Sequence, residues 1–159
     1  MKYQYKLLVA AVMLAGAATA QAQAQIYKVT LSGANENPPV TTSGTGTAVI
    51  TLNAITHELR VRAVFSDLNG NTTNSHIHCC VTAPTANAGV ITATPSFAGF
   101  PAGIKEGTFD AVYNTGLSPT WNASYVTANG GTAAGAEASF VTGVASGGAY
   151  LNIHSATSP

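Results

Sequence analysis

Residues 47–65 read TAVITLNAITHELRVRAVF, and this stretch decides the fold. Apolar and polar side chains alternate along 47–53 and again along 57–65, which is the period of a β-strand with one buried face. The apolar side chains of the second run all fall on one face: Leu59, Val61, Ala63 and Phe65. Because a short link between two strands favours an antiparallel hairpin, we predict a half-buried hairpin at the centre of a sheet.

The same period of two recurs along the rest of the chain. Further strands are predicted at 26–32, at 74–78, at the start of 90–107, at 108–114 and at 149–155. Loops rich in Gly, Pro and Asn separate these runs. A single domain built mainly of short antiparallel strands is typical of a β-sandwich.

Two segments before the last predicted strand have helical spacing instead. In 118–131, Ser118 suits the N-cap and Pro119 suits the first helical position. Residues 132–148 place Ala, Phe and Val at helical spacing and end in glycines. We therefore predict an all-β fold, an antiparallel β-sandwich with a small helical insertion before its last strand.

Residues 1–25 are expected to form a secretory signal peptide rather than part of the fold. Two lysines precede an apolar run at 7–17, and small residues at alternate positions follow it. The run has the length of a signal sequence and is too short to span a bilayer. An uncleaved amphipathic anchor is the alternative. Cleavage would leave 26–159 as one secreted domain, either periplasmic or extracellular.

The rest of the chain carries little charge. Of six basic residues in the sequence, Lys2 and Lys6 lie in the expected signal, which leaves four against six acidic residues. Nucleic-acid binding needs a basic surface, so we expect no nucleic-acid partner. No stretch of sequence after residue 25 is long and apolar enough to cross a membrane.

The residues that could carry chemistry concentrate in NSHIHCC and in the last predicted strand. His76 and His78 share one strand face, and His154 lies on the polar face of the last strand. If these strands are neighbours, three imidazoles gather on one surface with Asn74 and Asn152 beside them. Neutral imidazoles are suitable ligands for copper or zinc, so a metal site is one interpretation. The other is a set of surface histidines in cross-strand pairs, hydrogen-bonded to the two asparagines.

Cys79 and Cys80 are the only cysteines in the sequence. Exported proteins normally pair their cysteines, but Cα atoms of adjacent residues lie about 3.8 Å apart, short of the usual disulfide separation. A vicinal disulfide with a distorted peptide, free or metal-bound thiols, and intermolecular disulfides all remain open. In a continuing strand Cys80 would share the face of His76 and His78, which makes it the candidate fourth ligand of a metal.

Other polar residues give weaker signals. His57 begins a strand and is expected to be exposed, and Glu137 is expected on the exposed side of the second helix. Glu36 is expected to be a loop acid that accepts backbone hydrogen bonds. The sequence lacks the motifs of nucleophilic hydrolases, zinc proteases, phosphate loops and dinucleotide folds. We therefore expect no enzyme activity.

With these residues in view, the chain resembles the chordin-type domain, or CHRD domain, in its secreted bacterial form. The resemblance is carried by LSGANENPPV at 31–40, the two central strands, SHIHC at 75–79 and AYLNIHS at 149–155. It covers essentially all of the chain after residue 25. The family implies an extracellular β-rich binding module or immunoglobulin-like structural module without enzyme activity, whose partner is an extracellular protein or the matrix.

The chain departs from the family pattern at two places. Family members often have glycines where this chain has Cys79 and Cys80, so the resemblance says little about these cysteines. The family's closing strand usually continues beyond the last histidine, whereas this sequence ends at Pro159. The expectation is therefore either an incomplete C-terminal end or loss of the final edge strand.

The histidine pattern also resembles the copper side of copper–zinc superoxide dismutases, which are exported β-sandwiches. Those enzymes need more histidines than the four in this sequence to build two metal sites. We therefore expect an immunoglobulin-like or superoxide-dismutase-like sandwich without dismutase activity. The first functional hypothesis is a binding module with a single copper or zinc at His76, His78 and His154, with Cys80 as fourth ligand. The second is a non-metal structural or adhesion module of the cell surface or matrix.

Overall fold

The structure is a computed structural model that describes residues 24–81 and 86–158. Its strands, in chain order, are β1 (Gln25–Ser32), β2 (Thr45–Asn53), β3 (Glu58–Ser66), β4 (Thr72–His78), β5 (Gly107–Asn114) and β6 (Tyr150–Ser155). Its helices are α1 (Ala123–Ala128) and α2 (Ala133–Ala145), with 3-10 turns at Gly33–Asn35 and Ser118–Thr120. The expected signal peptide at 1–25 lies outside the described residues except for its last two positions, so it stays a prediction.

The described strands form two antiparallel sheets. One has four strands in the order β1–β2–β3–β5, and the other pairs β4 with β6. The predicted hairpin is the middle of the larger sheet, with Leu52 opposite Leu59. This register keeps the apolar side chains of both strands on one face, because a shift of one residue would turn them to solvent. On the outward face, Arg60 of β3 makes a bidentate ion pair with Asp110 of β5.

The inward faces of the two sheets enclose one hydrophobic core. The central hairpin contributes a continuous set of buried side chains: Ala48, Ile50, Leu52, Leu59, Val61 and Ala63. Ile77 and Leu151 come from the smaller sheet, and Trp121 and Phe140 come from the helical insertion. The predicted all-β sandwich with a small helical insertion before its last strand is therefore confirmed.

The strand predicted at the start of 90–107 is wrong. This segment runs beside β4, but only an isolated bridge joins Val90 to His78, and Thr92 forms another with a residue before α1. Side-chain oxygens take the place of backbone carbonyls, since Thr92 Oγ1 accepts the Ile77 N–H at 3.0 Å. The alternation of residue types cannot distinguish a regular strand from an extended segment that is hydrogen-bonded to its neighbour through side chains.

The first predicted helix begins later than expected. Ser118, the predicted N-cap, instead begins a 3-10 turn. α1 begins at Ala123 behind Asn122, whose side chain accepts a hydrogen bond from the Ser124 N–H. Asparagine and serine are both good N-caps, so residue type alone does not decide whether the helix begins after Ser118 or after Asn122. In the part of the chain that the structure describes, no helix has the length and apolarity needed to span a bilayer.

A buried acid ties α2 to the larger sheet. Glu137 is 5% exposed, so its predicted position on the exposed side of the helix is wrong. Its carboxylate accepts hydrogen bonds from Thr115 Oγ1 and from His57 Nδ1, the latter at 2.7 Å. His57 is exposed as expected and has a left-handed φ of 55°. Because a buried carboxylate without partners would be costly, these contacts stabilise the attachment of the helix to the β2–β3 turn.

Replacing His57 with asparagine is expected to destabilise the protein by about 1–2 kcal/mol. Asparagine tolerates a positive φ, so the change removes the imidazole hydrogen bond to Glu137 without straining the backbone. The expected cost is below that of a fully buried pair because the His57 side chain is 50% exposed. Arg62→Ala, which breaks an exposed ion pair to Asp110 at 3.6 Å, is the control and should leave the urea midpoint close to that of the parent. Equal urea midpoints for the two variants would contradict this role of His57.

Candidate metal site

The three predicted histidines lie on neighbouring strands and on one face of the smaller sheet. The register of β4 and β6 sets three opposite pairs: His76 with Asn152, His78 with Tyr150, and Asn74 with His154. Ile77 and Leu151 point the other way into the core, as strand alternation requires. Both histidine segments are strands and they are neighbours, which meets the condition on which the predicted cluster depended.

The three imidazole rings are close enough to share one ion. Nε2 of His76 lies 3.0 Å from Nε2 of His154. One nitrogen from each of the three rings lies within 4.8 Å of the other two. Two nitrogens on a tetrahedral zinc lie about 3.3 Å apart when each bond is about 2.0 Å long. Small rotations of the rings would therefore bring all three nitrogens to bonding distance of a single ion.

Backbone carbonyls determine which nitrogen of two rings is free. Nδ1 of His76 lies 3.0 Å from the carbonyl oxygen of Pro95, and Nδ1 of His78 lies 2.7 Å from that of Ala88. Because a carbonyl oxygen can only accept, both Nδ1 atoms carry the proton and both Nε2 atoms keep a lone pair. Bonds of this kind orient histidines that ligate metals. Nε2 of His78 is buried, and no described residue donates a hydrogen bond to it.

Burial keeps two of the rings in their neutral form. His76 is only 7% exposed, and desolvation is the largest cause that lowers its pKa below 6.5, opposed by the hydrogen bond to Pro95. Desolvation also lowers the pKa of His78, opposed by the hydrogen bond to Ala88. Neutral imidazole is the form that binds metals. Both rings are therefore ready to act as ligands at neutral pH.

Asn74, Asn152 and Glu36 surround the histidine cluster, defined as His76, His78 and His154. Asn152 donates from Nδ2 to Oε2 of Glu36 at 3.3 Å, so this acid meets a side chain where backbone donors were expected. The charge of Glu36 also acts on His78 and raises its pKa, though less than burial lowers it. Oδ1 of Asn74 is buried and has no donor among the described residues. A carboxylate and an unpaired amide oxygen beside three imidazoles favour a cation.

Tyr150 is a residue of this site that the sequence prediction missed. Its ring stacks on His78, with centroids 4.7 Å apart and planes within 2° of parallel. Its hydroxyl oxygen accepts the Ala88 N–H at 3.0 Å. The His78 ring is thus held by a stacked ring and by the Ala88 carbonyl together. The signal was present in the sequence, because Tyr150 shares a strand face with Asn152 and His154.

Cys79 and Cys80 follow β4 directly and are joined in a vicinal disulfide. Both sulfurs pack on the backbone of α2 at Gly143, where a Cβ atom would overlap them. The ligand atoms that converge on one point are those of the three histidines. Cys80 as fourth ligand is therefore wrong in this structure: its sulfur lies against α2, and a disulfide sulfur is not the thiolate that binds metals.

Comparison with known proteins gives one family match. The family model described as the CHRD domain matches residues 27–159. A search of curated proteins and a search of solved structures give no match. Apart from the first two residues of β1, the matched range includes both sheets, the helical insertion and the whole histidine cluster.

Proposed function

Because the chain belongs to the CHRD domain family, we propose that it is an exported binding module that holds one copper or zinc ion at His76, His78 and His154. The family supplies the general role of a binding module, and the histidine cluster supplies the ion. The Cys79–Cys80 disulfide supports export, because disulfides persist in oxidising compartments. The proposed partner is an extracellular protein or the matrix.

The environment of His78 is the observation that carries the proposal. Its Nδ1 donates to the Ala88 carbonyl, and its Nε2 lone pair is buried without a donor among the described residues. A buried acceptor without a partner costs free energy and calls for an explanation in a folded protein. The lone pair of His76 lies in the same group of nitrogens. A metal ion can bind several converging lone pairs at once, whereas a single N–H donor satisfies one.

The donor set favours copper or zinc over harder cations. Imidazole nitrogens suit copper and zinc, whereas magnesium and calcium require mostly oxygen ligands. Three protein ligands also leave a coordination position open, while closed structural zinc sites use four. We therefore propose a site at which the ion accepts a further donor from outside the chain.

A non-metal structural or adhesion module is the second candidate, and one contact favours it. Nε2 of His154 can donate to the lone pair of His76 Nε2 across their 3.0 Å separation, which would satisfy these two rings without an ion. Titration of zinc into chelator-treated protein separates the candidates. The metal module binds one equivalent and gains thermal stability as the zinc concentration rises. The non-metal module shows neither effect.

Metal affinity is expected to persist below the pH at which an unburied histidine site fails. Protons compete for a ligand only below its pKa, and burial holds the pKa values of His76 and His78 below 6.5. The same shifts mean that the metal-free protein binds fewer protons than its unfolded chain. Its stability should therefore fall as the pH is lowered through 6.5. Zinc titrations between about pH 7.5 and 4.5 measure the first effect.

The matched control for this pH dependence is a free peptide of sequence NSHIH, which carries His76 and His78 without burial. Both histidines must be deprotonated to bind zinc, so about three quarters of the zinc affinity of the peptide should be lost at the ordinary histidine pKa of about 6.5. The protein should reach the same loss at a lower pH. A protein that loses zinc at a higher pH than the peptide would contradict the proposed ligand set.

A further inference from the structure

We propose that the cavity between β1 and β6 is the docking groove for an extended, uncharged peptide segment whose histidine supplies the fourth ligand of the ion. This inference rests on the proposed metal site and names the partner of that site. The cavity has a volume of about 630 Å³, within the usual range of binding sites. His154 lines the cavity and also belongs to the histidine cluster.

The walls of this groove are the edges of two strands. Consecutive residues of β1, at 29–32, line one side, and consecutive residues at 149–155, which include β6, line the other. Successive strand side chains point to opposite faces, so a sheet face would present every second residue only. Because every consecutive residue of these segments lines the cavity, the backbone edge of each strand must border it.

Both strand edges lack a strand partner within the described ranges. Among the described strands, β1 ends the larger sheet and pairs only with β2, and β6 pairs only with β4. An edge strand presents backbone N–H and C=O groups that another extended chain can pair with. Addition of a peptide strand to such an edge is a common mode of recognition. A groove with two such edges therefore matches an extended backbone better than a compact small molecule.

The charge of the groove limits which peptide sequences can bind in it. Glu36 is the one formally charged side chain among the described residues that line it. Several lining side chains are apolar: Val29, Leu31, Val40, Phe65, Leu68 and Ile153. The complement of this lining is an uncharged segment with apolar side chains at alternate positions. Glu36 lies by the histidine cluster through Asn152, where it compensates the charge of the ion.

The open coordination position of the ion indicates that the peptide carries a metal-binding side chain. Three histidines of this chain leave one position for an external donor. Imidazole is a ligand that copper and zinc share. Since His154 belongs to the cluster and also lines the groove, a histidine in the docked strand can reach the ion while its backbone pairs with β6.

Selection from a displayed library tests this proposal, because it finds both whether a peptide binds and which sequences do. The probe is a phage library of random heptapeptides with a fixed central histidine, and its counterpart has alanine at that position. We expect the zinc-loaded full chain to enrich the histidine library at least tenfold over the alanine library, and a chelator to abolish the enrichment. No enrichment, or equal enrichment of both libraries, overturns the proposal.

Two matched variants locate the binding. Val40→Trp fills the groove, whereas Val64→Trp adds the same bulk on the outward face of β3, where Val64 is 56% exposed. Enrichment should be lost with the first variant and kept with the second. Equal enrichment on both variants overturns the groove assignment. Zinc affinity is measured first: a parent chain that binds zinc but no peptide refutes this inference alone, and one that binds no zinc refutes the proposed function.

A nuclear magnetic resonance measurement on the parent chain keeps the test valid if Val40→Trp fails to fold. A selected peptide should shift the backbone amides of residues 29–32 and 150–155. Shifts confined to β5, the other edge of the larger sheet, would overturn the proposal. If the parent chain dimerises through these same amides, the occupant of the groove is a second copy of the chain, and this result would also overturn the proposal.

Discussion

Replacing His76 with alanine is expected to lower the affinity for copper or zinc by more than about 100-fold. His76 is the central ring of the cluster, since its centroid lies 4.7 Å from those of both His78 and His154, which are 6.5 Å apart. Loss of a residue that only orients a ligand already costs about 10–100-fold in metal affinity. Loss of the ligand itself should cost more. Isothermal titration of zinc into the chelator-treated parent and variant measures the difference.

The His57→Asn variant is the control for this experiment, because it removes the one histidine outside the cluster. Its zinc affinity should match that of the parent under conditions where both are folded. Circular dichroism establishes that His76→Ala keeps the β-sheet signal of the parent. A folded His76→Ala chain that binds zinc as tightly as the parent would place the ion elsewhere.

Replacing Gly143 with alanine is expected to destabilise the protein by about 2–3 kcal/mol. In an ordinary helix interior the same change stabilises by about 1 kcal/mol, so the predicted sign is the reverse of the usual one. The added Cβ would overlap the sulfurs of both Cys79 and Cys80. Either α2 or the disulfide must move, and α2 carries the buried Phe140. Urea unfolding of the oxidised protein measures the loss.

Two further variants connect this effect to the disulfide. Thr142→Ala changes the exposed neighbour of Gly143 and loses only its own hydrogen bond to the Ala138 carbonyl, so it should shift stability by less than about 0.5 kcal/mol. Gly143→Ala in a chain where both cysteines are alanine should be neutral or stabilising, because the sulfurs are gone. A stabilising Gly143→Ala in the oxidised parent would contradict the packing of the disulfide on α2.

The histidine cluster could be predicted because strand side chains have a strict period of two. His76 and His78 share a face in any register, and the apolar pair Leu151 and Ile153 turns His154 outward. The pattern did not determine how β4 and β6 align. A shift by two residues would keep every side chain on its face but move His154 about 7 Å along the sheet. In the observed register His154 lies opposite Asn74, and its ring reaches the diagonal neighbour His76.

The errors at Glu137 and Cys80 have a different physical origin. Glu137 lies on the buried stripe of α2 with Ala136 and Phe140, and this spacing is visible in the sequence. An acid on such a stripe needs a partner, however, and His57 is 80 residues away along the chain. The alternation that placed Cys80 with the histidines assumed that the strand continues, whereas β4 ends at His78 and the disulfide packs against α2. Both outcomes depend on contacts between distant segments, which local patterns do not contain.

Native mass spectrometry of the untagged domain, purified from an oxidising compartment, tests the central claim most directly. The measurement keeps a bound ion in place and reports its identity and stoichiometry for each chain. We predict one copper or zinc ion per chain, lost in the His76→Ala variant and retained in His57→Asn. A parent chain that carries no ion, even after incubation with equimolar copper and zinc, would contradict the metal site.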